Sequence, residues 1–381
     1  MKIVVATDSY KGTISASDAA AIIAEAFAEK LPLAKVIKMP IADGGEGSTA
    51  CFVDAMGGGF IVTSVKNCYF EDINVRFGLI ERGETAVIEV AESAGLHFAE
   101  GRKNPMLTTT YGVGQMIATA AGLGVKRIWL CLGGSATNDL GLGAAAALGI
   151  RFIGSNGEEM LPLGGTLDEI CDIDVSAVPD EIRALEISCL CDVNGTLTGE
   201  TGAARMFSAQ KGASPEMTDI LERGAEHVQA LFLRVLGTDV SSLAGGAAAG
   251  GMGAGMYALF GAPLRRGVDE ILSAVGFDNA LAGCDLVITG EGRVDAQSAT
   301  GKAVGGVLAA AHRQNVPVVV IGGSVTPGAA KMLGTDAVFS TVSDFSDFEA
   351  VRESAKENLR AVARSIATVM AAAGGLKTGQ F

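Results

Sequence analysis

Residues 285–302 read DLVITGEGRVDAQSATGK. Leu286, Val287, Ile288 and Thr289 are apolar or β-branched, the composition of a buried strand. The run breaks at Gly290 and Gly292, which predicts a turn carrying Glu291, Arg293 and Asp295, and a helix-like run opens at Gly301. A buried strand ending in glycine-spaced charges is how open α/β sheets present ligand loops at their carboxyl edge. Two other stretches repeat the arrangement. Asp43-Gly44-Gly45-Glu46-Gly47 follows the apolar run ending at Ile41, and Gly133-Gly134-Ser135-Ala136-Thr137-Asn138-Asp139 follows residues 128–132.

Working outward, residues 3–7 form a short apolar strand, followed by the loop Asp8-Ser9-Tyr10-Lys11 and a helix over 18–30 that Ser17 can cap. A second strand covers 36–41 and a helix covers 49–56, stopped by three glycines at 57–59. This alternation predicts the start of a parallel sheet. Strands at 60–65, 73–80 and 85–90 have only turns between them, so an antiparallel or mixed region begins there. Helical periodicity returns at 112–121. A strand at 127–132, an alanine-rich helix near 143–148, a strand at 187–191 and a long helix over 217–236 follow. Beyond 286 the clean alternation resumes, with a helix at 302–313, strands at 316–321 and 337–341, and a closing helix over 348–373. The two ends share one style and the middle has another. The expected architecture is α/β: a doubly wound parallel domain made from residues 1–62 and 264–381, with a second, mixed α/β domain, 63–263, inserted.

Composition narrows the function. Of 381 residues, 49% are hydrophobic, ample for two cores, and 52 are glycine, well above the usual share of about 7%. The glycines follow apolar runs rather than a triplet period, which points to tight turns and ligand loops. The net charge of −14 and the lack of a Lys/Arg-rich run argue against nucleic acid as a partner. Seven scattered cysteines with no CxxC pair read as reduced thiols of a cytoplasmic protein. His97, His227 and His312 have no zinc spacing. The N-terminal apolar run is too short for a signal peptide core. Residues 240–264 carry no charge but are crowded with Gly and Ala, so a closely packed buried helix is expected there and no membrane partner.

The familiar nucleotide and hydrolase signatures are missing. There is no GxxxxGK[ST], no GxGxxG after the first strand, no HRD or DFG and no GxSxG. What remains is a set of loops that pair glycine with Asp, Glu, Asn, Lys and Arg. Glycines let backbone N–H groups approach an anion, Lys and Arg neutralise phosphate or carboxylate, and carboxylates hold Mg²⁺ or accept a hydroxyl proton. Phosphoryl transfer needs all three. Asp8 with Lys11 supplies either a base and a phosphate clamp or a plain surface turn. Ser135 and Thr137 suit helix caps as well as a ligand. Arg205 and Lys211 fit a site or ordinary solvation, whereas Asp192, at the end of an apolar strand, favours function.

At these residues the chain resembles the bacterial type I glycerate kinases along nearly its whole length. The resemblance rests on DSYKGTISA (8–16), PIADGGEG (40–47), GGSATND (133–139), GAARMFSAQKGA (202–213), the glycine-rich 245–255 and DLVITGEGRVDAQ (285–297). It implies ATP-dependent phosphorylation of D-glycerate, with 2-phosphoglycerate the expected product, and a flavodoxin-like domain split by an inserted α/β domain. There are departures. The family's ATNDGG is here Asn138-Asp139-Leu140-Gly141. Its Asn-Pro beyond the DV pair falls at Gly195 and Thr196, with Asn194 the candidate replacement. A usual Pro is Val304.

Within that resemblance, Lys11 or Lys211 is expected on phosphates and Arg293 on the glycerate carboxylate, since its planar fork suits bidentate contact. Asp192 is the first choice for the base and Asp43 the second. Glu291 and Asp295 are expected on Mg²⁺ or its waters. Asp8, Ser9, Gly44, Gly45, Glu46, Gly133, Gly134, Ser135, Thr137, Asn138, Asp139, Arg205, Lys211 and Gly290 complete the substrate- and nucleotide-binding set. A homodimer is a candidate assembly. Alternatives are a kinase that yields 3-phosphoglycerate, another small hydroxy-acid kinase or phosphatase, and a non-enzymatic anion-binding regulator.

Overall fold

The structure, a computed structural model, describes residues 1–299, 302–335, 337–342 and 348–376. They divide into two compact units, one formed by Met1–Asp43 and Val268–Phe381, the other by Gly44–Gly267.

The first unit holds a five-stranded parallel sheet in the order Lys35–Lys38, Lys2–Thr7, Leu286–Val294, Val318–Val325, Val338–Ser340. Numbered along the unit's own chain this is 2-1-3-4-5, the flavodoxin-like order of a doubly wound sheet. Its inner strands carry apolar runs because both faces are covered. Ile3, Val5, Ile288 and Ile321 pack against Ile23 and Phe27 of the helix Ala16–Lys30 and Leu359 and Ala363 of the helix Phe348–Leu376. Val4, Val287 and Val320, equally buried, alternate to the other face, where the helix Ala303–Arg313 packs. Helices therefore leave strands 1 and 3 on opposite faces, and the switch point lies at the carboxyl ends of Lys2–Thr7 and Leu286–Val294.

The stretch 285–302 differs from its reading. The strand does not stop at Thr289, before Gly290, but runs on from Leu286 to Val294, paired with Val318–Val325 past Arg293↔Ser324. The glycines that look like a turn are required by close pairing. A Cβ on Gly290 would overlap the Ile321 carbonyl oxygen, and one on Gly323 would overlap that of Gly292. Gly301, expected to open the helix, lies outside the described residues, and the helix proper begins at Ala303. The first helix is capped by Ser15, whose Oγ accepts from Asp18 N at 3.1 Å, rather than by Ser17, which lies inside the helix.

The second unit contains a six-stranded mixed sheet in the order Leu264–Arg265, Glu186–Leu190, Arg127–Cys131, Thr85–Glu89, Asp72–Ile80, Gly58–Lys66. The first four are mutually parallel, and the Thr85–Glu89, Asp72–Ile80 and Gly58–Lys66 strands run antiparallel as a meander. A small antiparallel sheet of Arg151–Gly154, Glu159–Met160 and Ile170–Asp174 has no counterpart in the sequence pattern. The expected boundary at 62 would cut the Gly58–Lys66 strand, which pairs along its length with Asp72–Ile80, so the break between units falls at 43/44 instead.

The uncharged segment includes the helix Ala248–Phe260, buried through Met256. Ala249, Gly250 and Gly251 have φ of 51, 68 and 92°, a left-handed kink. It lets Gly250 sit where any Cβ would strike the Thr137 carbonyl, and Gly250 O accepts from Leu140 N at 3.2 Å. Among the described residues no helix is long and apolar enough to cross a membrane.

Candidate active-site residues

In the first unit the switch point gathers charge. Asp8 follows the Lys2–Thr7 strand and is 2% exposed. Its backbone N–H donates to Gly290 O at 2.9 Å, and its carboxylate accepts from Ser9 N at 2.6 Å. Burial pushes the Asp8 carboxyl well up, and the nearby Asp43 and Glu291 carboxylates push the same way. The Ser9 N–H and the Lys11 ammonium oppose them. Lys11 Nζ lies 3.7 Å from Asp43 Oδ2.

Glu291 is buried on the extended strand. Burial raises its pKa, Asp43 adds to the rise, and a hydrogen bond from Ser298 with the charges of Lys302 and Lys11 pulls it down. Its Oε1 is buried and makes no hydrogen bond. Thus Asp8, Lys11, Asp43 and Glu291 form one electrostatic cluster. Gly292 lets the Tyr10–Lys11 backbone lie against the strand, a Cβ on it standing 3.1 Å from Lys11 N.

Arg293 Nε faces Asp295 Oδ2 at 3.3 Å, with the Arg293 side chain 71% exposed. The two residues expected to serve substrate and metal separately therefore face one another. Lys302 is close enough to Glu291 to favour its ionised form. Sequence reading also passes over Tyr10. Its ring is buried and its hydroxyl donates to Ile321 O at 2.7 Å, with burial, Glu291 and Asp8 all raising its pKa.

In the second unit the carboxyl ends of three adjacent parallel strands, Thr85–Glu89, Arg127–Cys131 and Glu186–Leu190, bring three loops together. Gly133 N donates to Gly44 O at 3.4 Å, and a Cβ on Gly133 would overlap Gly45 Cα. Gly44 lies against Leu190 O at a distance of 3.3 Å from a Cβ placed on it. Glu46 on this loop is exposed, and Gly134, with φ 75°, is exposed at the tip of the next. Asp192, half-buried, follows the third strand two residues past Leu190.

Lys211 is 2% exposed, and its Nζ donates to Thr137 O at 2.6 Å and Ser135 Oγ at 3.3 Å. Burial lowers its pKa to about 7, with Asp139 opposing. Beside it, Thr137 Oγ1 and Asn138 Oδ1 are buried and make no hydrogen bond. Ser135, Thr137, Asn138 and Lys211 thus form a polar cluster with bonding capacity to spare.

Asp139 does not belong with them as a ligand group. Its Oδ2 accepts from Thr110 N (2.6 Å), Thr110 Oγ1 (2.8 Å), Thr109 Oγ1 (3.4 Å) and Gly143 N (3.2 Å), and Oδ1 from Gly141 N (3.3 Å). A fully buried carboxylate with five protein donors anchors the loop. Arg205 lies in the helix Ala203–Phe207 and faces Asp219 at 3.4 Å as an exposed pair, which ordinarily contributes little.

Glu89 is a residue that sequence reading misses. It ends an apolar strand, TAVIE, and is 5% exposed. Such a lone buried carboxylate is a signal in itself, because acids are almost never fully buried without partners.

Three comparisons bear on this geometry. A model described as "Glycerate kinase family" matches residues 3–371. A Bacillus cereus protein named glycerate kinase is 41% identical over 97% of this chain and 98% of its own length. An Escherichia coli K12 protein named glycerate 2-kinase is 38% identical over 97% and 98%. A crystal structure from Salmonella typhimurium LT2, assigned provisionally as a glycerate kinase 2, superposes with a TM-score of 0.84 at 40% identity, covering 98% of this chain and 99% of that one.

Proposed function

Since the chain belongs to the glycerate kinase family, we propose that it transfers the γ-phosphoryl group of ATP to the 2-hydroxyl of D-glycerate, releasing ADP and 2-phosphoglycerate. The observation that carries this reading is the Asp8, Lys11, Asp43 and Glu291 cluster at the switch point of a flavodoxin-order sheet. Phosphoryl transfer is mostly positioning and charge compensation, and it needs carboxylates and cations together. The Escherichia coli relative's name supports the 2-hydroxyl.

In the proposed step, the 2-hydroxyl oxygen bonds to the γ-phosphorus as the bond to the β,γ-bridging oxygen breaks. ADP leaves with that electron pair, and the hydroxyl proton passes to a carboxylate. Asp192 is the first candidate for that carboxylate and Asp43 the second. Lys211, held by Thr137 O and Ser135 Oγ, and Lys11 are the cations proposed for the phosphates. Arg293 keeps its proposed place on the glycerate carboxylate, which would compete with Asp295 for the guanidinium.

The acidic cluster suits Mg²⁺. Among the described residues no group of three or more His, Cys, Asp or Glu side chains is arranged to hold a metal by itself. Mg²⁺ carried on phosphates takes only one or two carboxylates. The buried Glu291 Oε1 with no hydrogen bond, and Asp8 beside it, are the proposed pair. Glu291 keeps its expected place, and Asp8 takes that of Asp295, whose carboxylate faces Arg293. When bound, Mg²⁺ neutralises the charge that develops on the phosphate oxygens.

The test is to incubate the protein with D-glycerate and Mg-ATP and identify the product by phosphorus NMR. 2-Phosphoglycerate is expected. 3-Phosphoglycerate would overturn the regiochemistry, and no phosphoglycerate would overturn the substrate.

A further inference from the structure

The helix Ser48–Met56 begins without a cap of its own. Gly47 occupies the N-cap at φ 89° and has no side chain to bond the helix's free N–H groups. The acceptor comes from another strand. Glu89 Oε1 accepts from Thr49 N at 2.8 Å, and Oε2 from Gly47 N at 3.2 Å. An anion belongs at a helix N-terminus, where N–H groups converge and the dipole favours negative charge. It is the place a phosphate would choose, and here a carboxylate of the chain fills it.

The same short loop is fixed at its other end by glycine contacts. No side chain fits between Gly45 and Gly133, and Gly44 lies on the Leu190 carbonyl. The loop 44–47 is therefore gripped twice: by the tight contact on Gly133, and by Glu89 through two N–H groups. We infer that Glu89 is a positioning residue for phosphoryl transfer, an internal anion that fixes the 44–47 loop at the strand edge and keeps phosphate off this helix N-terminus. Its kinetic consequence rests on the glycerate kinase reading; its structural consequence rests on the two hydrogen bonds alone.

The experiment compares full-length wild type, Glu89→Ala and Glu89→Gln in steady-state turnover of D-glycerate and Mg-ATP, with and without sodium formate. Hydrogen exchange is followed over residues 44–52. In Glu89→Ala, kcat is expected to fall about 100-fold, the scale of a displacement near 1 Å, with KM for both substrates little changed. Exchange at 47–49 should accelerate. Formate, a carboxylate small enough for the vacated space, should raise the variant's kcat several-fold, slow that exchange again, and leave wild type unaffected.

A Glu89→Ala kcat within about twofold of wild type overturns the proposal, since misplacement costs far more. So does a loss of kcat that formate does not touch while exchange over 44–52 stays normal. If Glu89→Ala does not fold, Glu89→Gln decides. It keeps the volume but sets an NH₂ against a backbone N–H, so a kcat loss with cooperative melting retained is expected, and wild-type kcat refutes it. Wild type without turnover on D-glycerate breaks the substrate assignment instead, and the exchange comparison then judges Glu89.

Discussion

The two units present opposite chemistry at their strand ends. In the first, Asp8, Asp43 and Glu291 crowd carboxylates together, and burial raises the pKa of Asp8 and Glu291 against the opposing pull of nearby lysines. In the second, a buried lysine, Lys211, donates to Thr137 O and Ser135 Oγ, and burial lowers its pKa. The first edge gathers carboxylates, and the second buries a cation. The chain belongs to a kinase family, and no P-loop motif occurs in its sequence.

The largest expected effect asks which edge owns the base. Asp192→Asn should lower kcat about 1,000-fold, within the range for loss of a general base, and Asp43→Asn substantially less. Steady-state kinetics on both variants decides. If Asp43→Asn abolishes turnover and Asp192→Asn leaves it nearly unchanged, the base sits among the carboxylates and the contrast between the edges sharpens.

Lys211→Met should weaken binding of the anionic substrates by about 2 kcal/mol, near thirtyfold in KM, the scale of a hydrogen bond to a charged group. The wild type carries its own test. With the folded pKa at about 7, KM should rise as pH climbs through that value and the ammonium loses its proton. The stability sign is the reverse. The unfolded lysine keeps its proton up to 10.5 while the folded one gives it up near 7, so raising pH between the two stabilises the fold. Thermal melts from pH 7 to 10 should show that increment in wild type and lose it in Lys211→Met. A flat KM profile would put the anion elsewhere.

The smallest effect belongs to the acidic edge. Glu291→Gln should raise the Mg²⁺ concentration for half-maximal activity about tenfold. The metal-free variant should also melt higher than wild type at neutral pH. The folded pKa of Glu291 is raised, so its ionised form carries a penalty that sets in as pH rises through that value and is absent in acid. Melting curves at neutral and acid pH, with and without Mg²⁺, measure both. Equal Mg²⁺ dependence in the two proteins would remove Glu291 from the metal.

Much of this is legible in the chain. Apolar runs ending in glycine-rich charged loops mark the strand edges, because a parallel strand buried on both faces must be apolar and its ligand loop must not be. What stays hidden depends on partners far along the sequence. Gly290 and Gly292 look like turn residues. They lie in the strand, where the Ile321 carbonyl leaves no room for a Cβ on Gly290 and the Tyr10–Lys11 backbone crowds one on Gly292, and those neighbours are invisible locally. Asp139 looks like a ligand until Thr109 and Thr110, some thirty residues earlier, supply its donors. Lys211 fits a site cation or a solvated base equally by type, and only the packed fold shows that it is buried. Ser15 and Ser17 are both acceptable caps by type, and backbone geometry alone chooses the first.

The flavodoxin-order sheet has a consequence for synthesis. Its first strand, Lys2–Thr7, lies between Lys35–Lys38 and Leu286–Val294. As the chain leaves the ribosome, the first 43 residues can form at most a two-stranded fragment with one helix, and such a fragment is marginal in water. The contiguous unit 44–267 emerges whole and can fold while that fragment waits. Only when residues past 294 appear does the first strand find its second neighbour. A chain truncated before that point would carry the inserted unit with a two-stranded fragment at its amino end whose first strand has one open edge, a form open to proteolysis and aggregation.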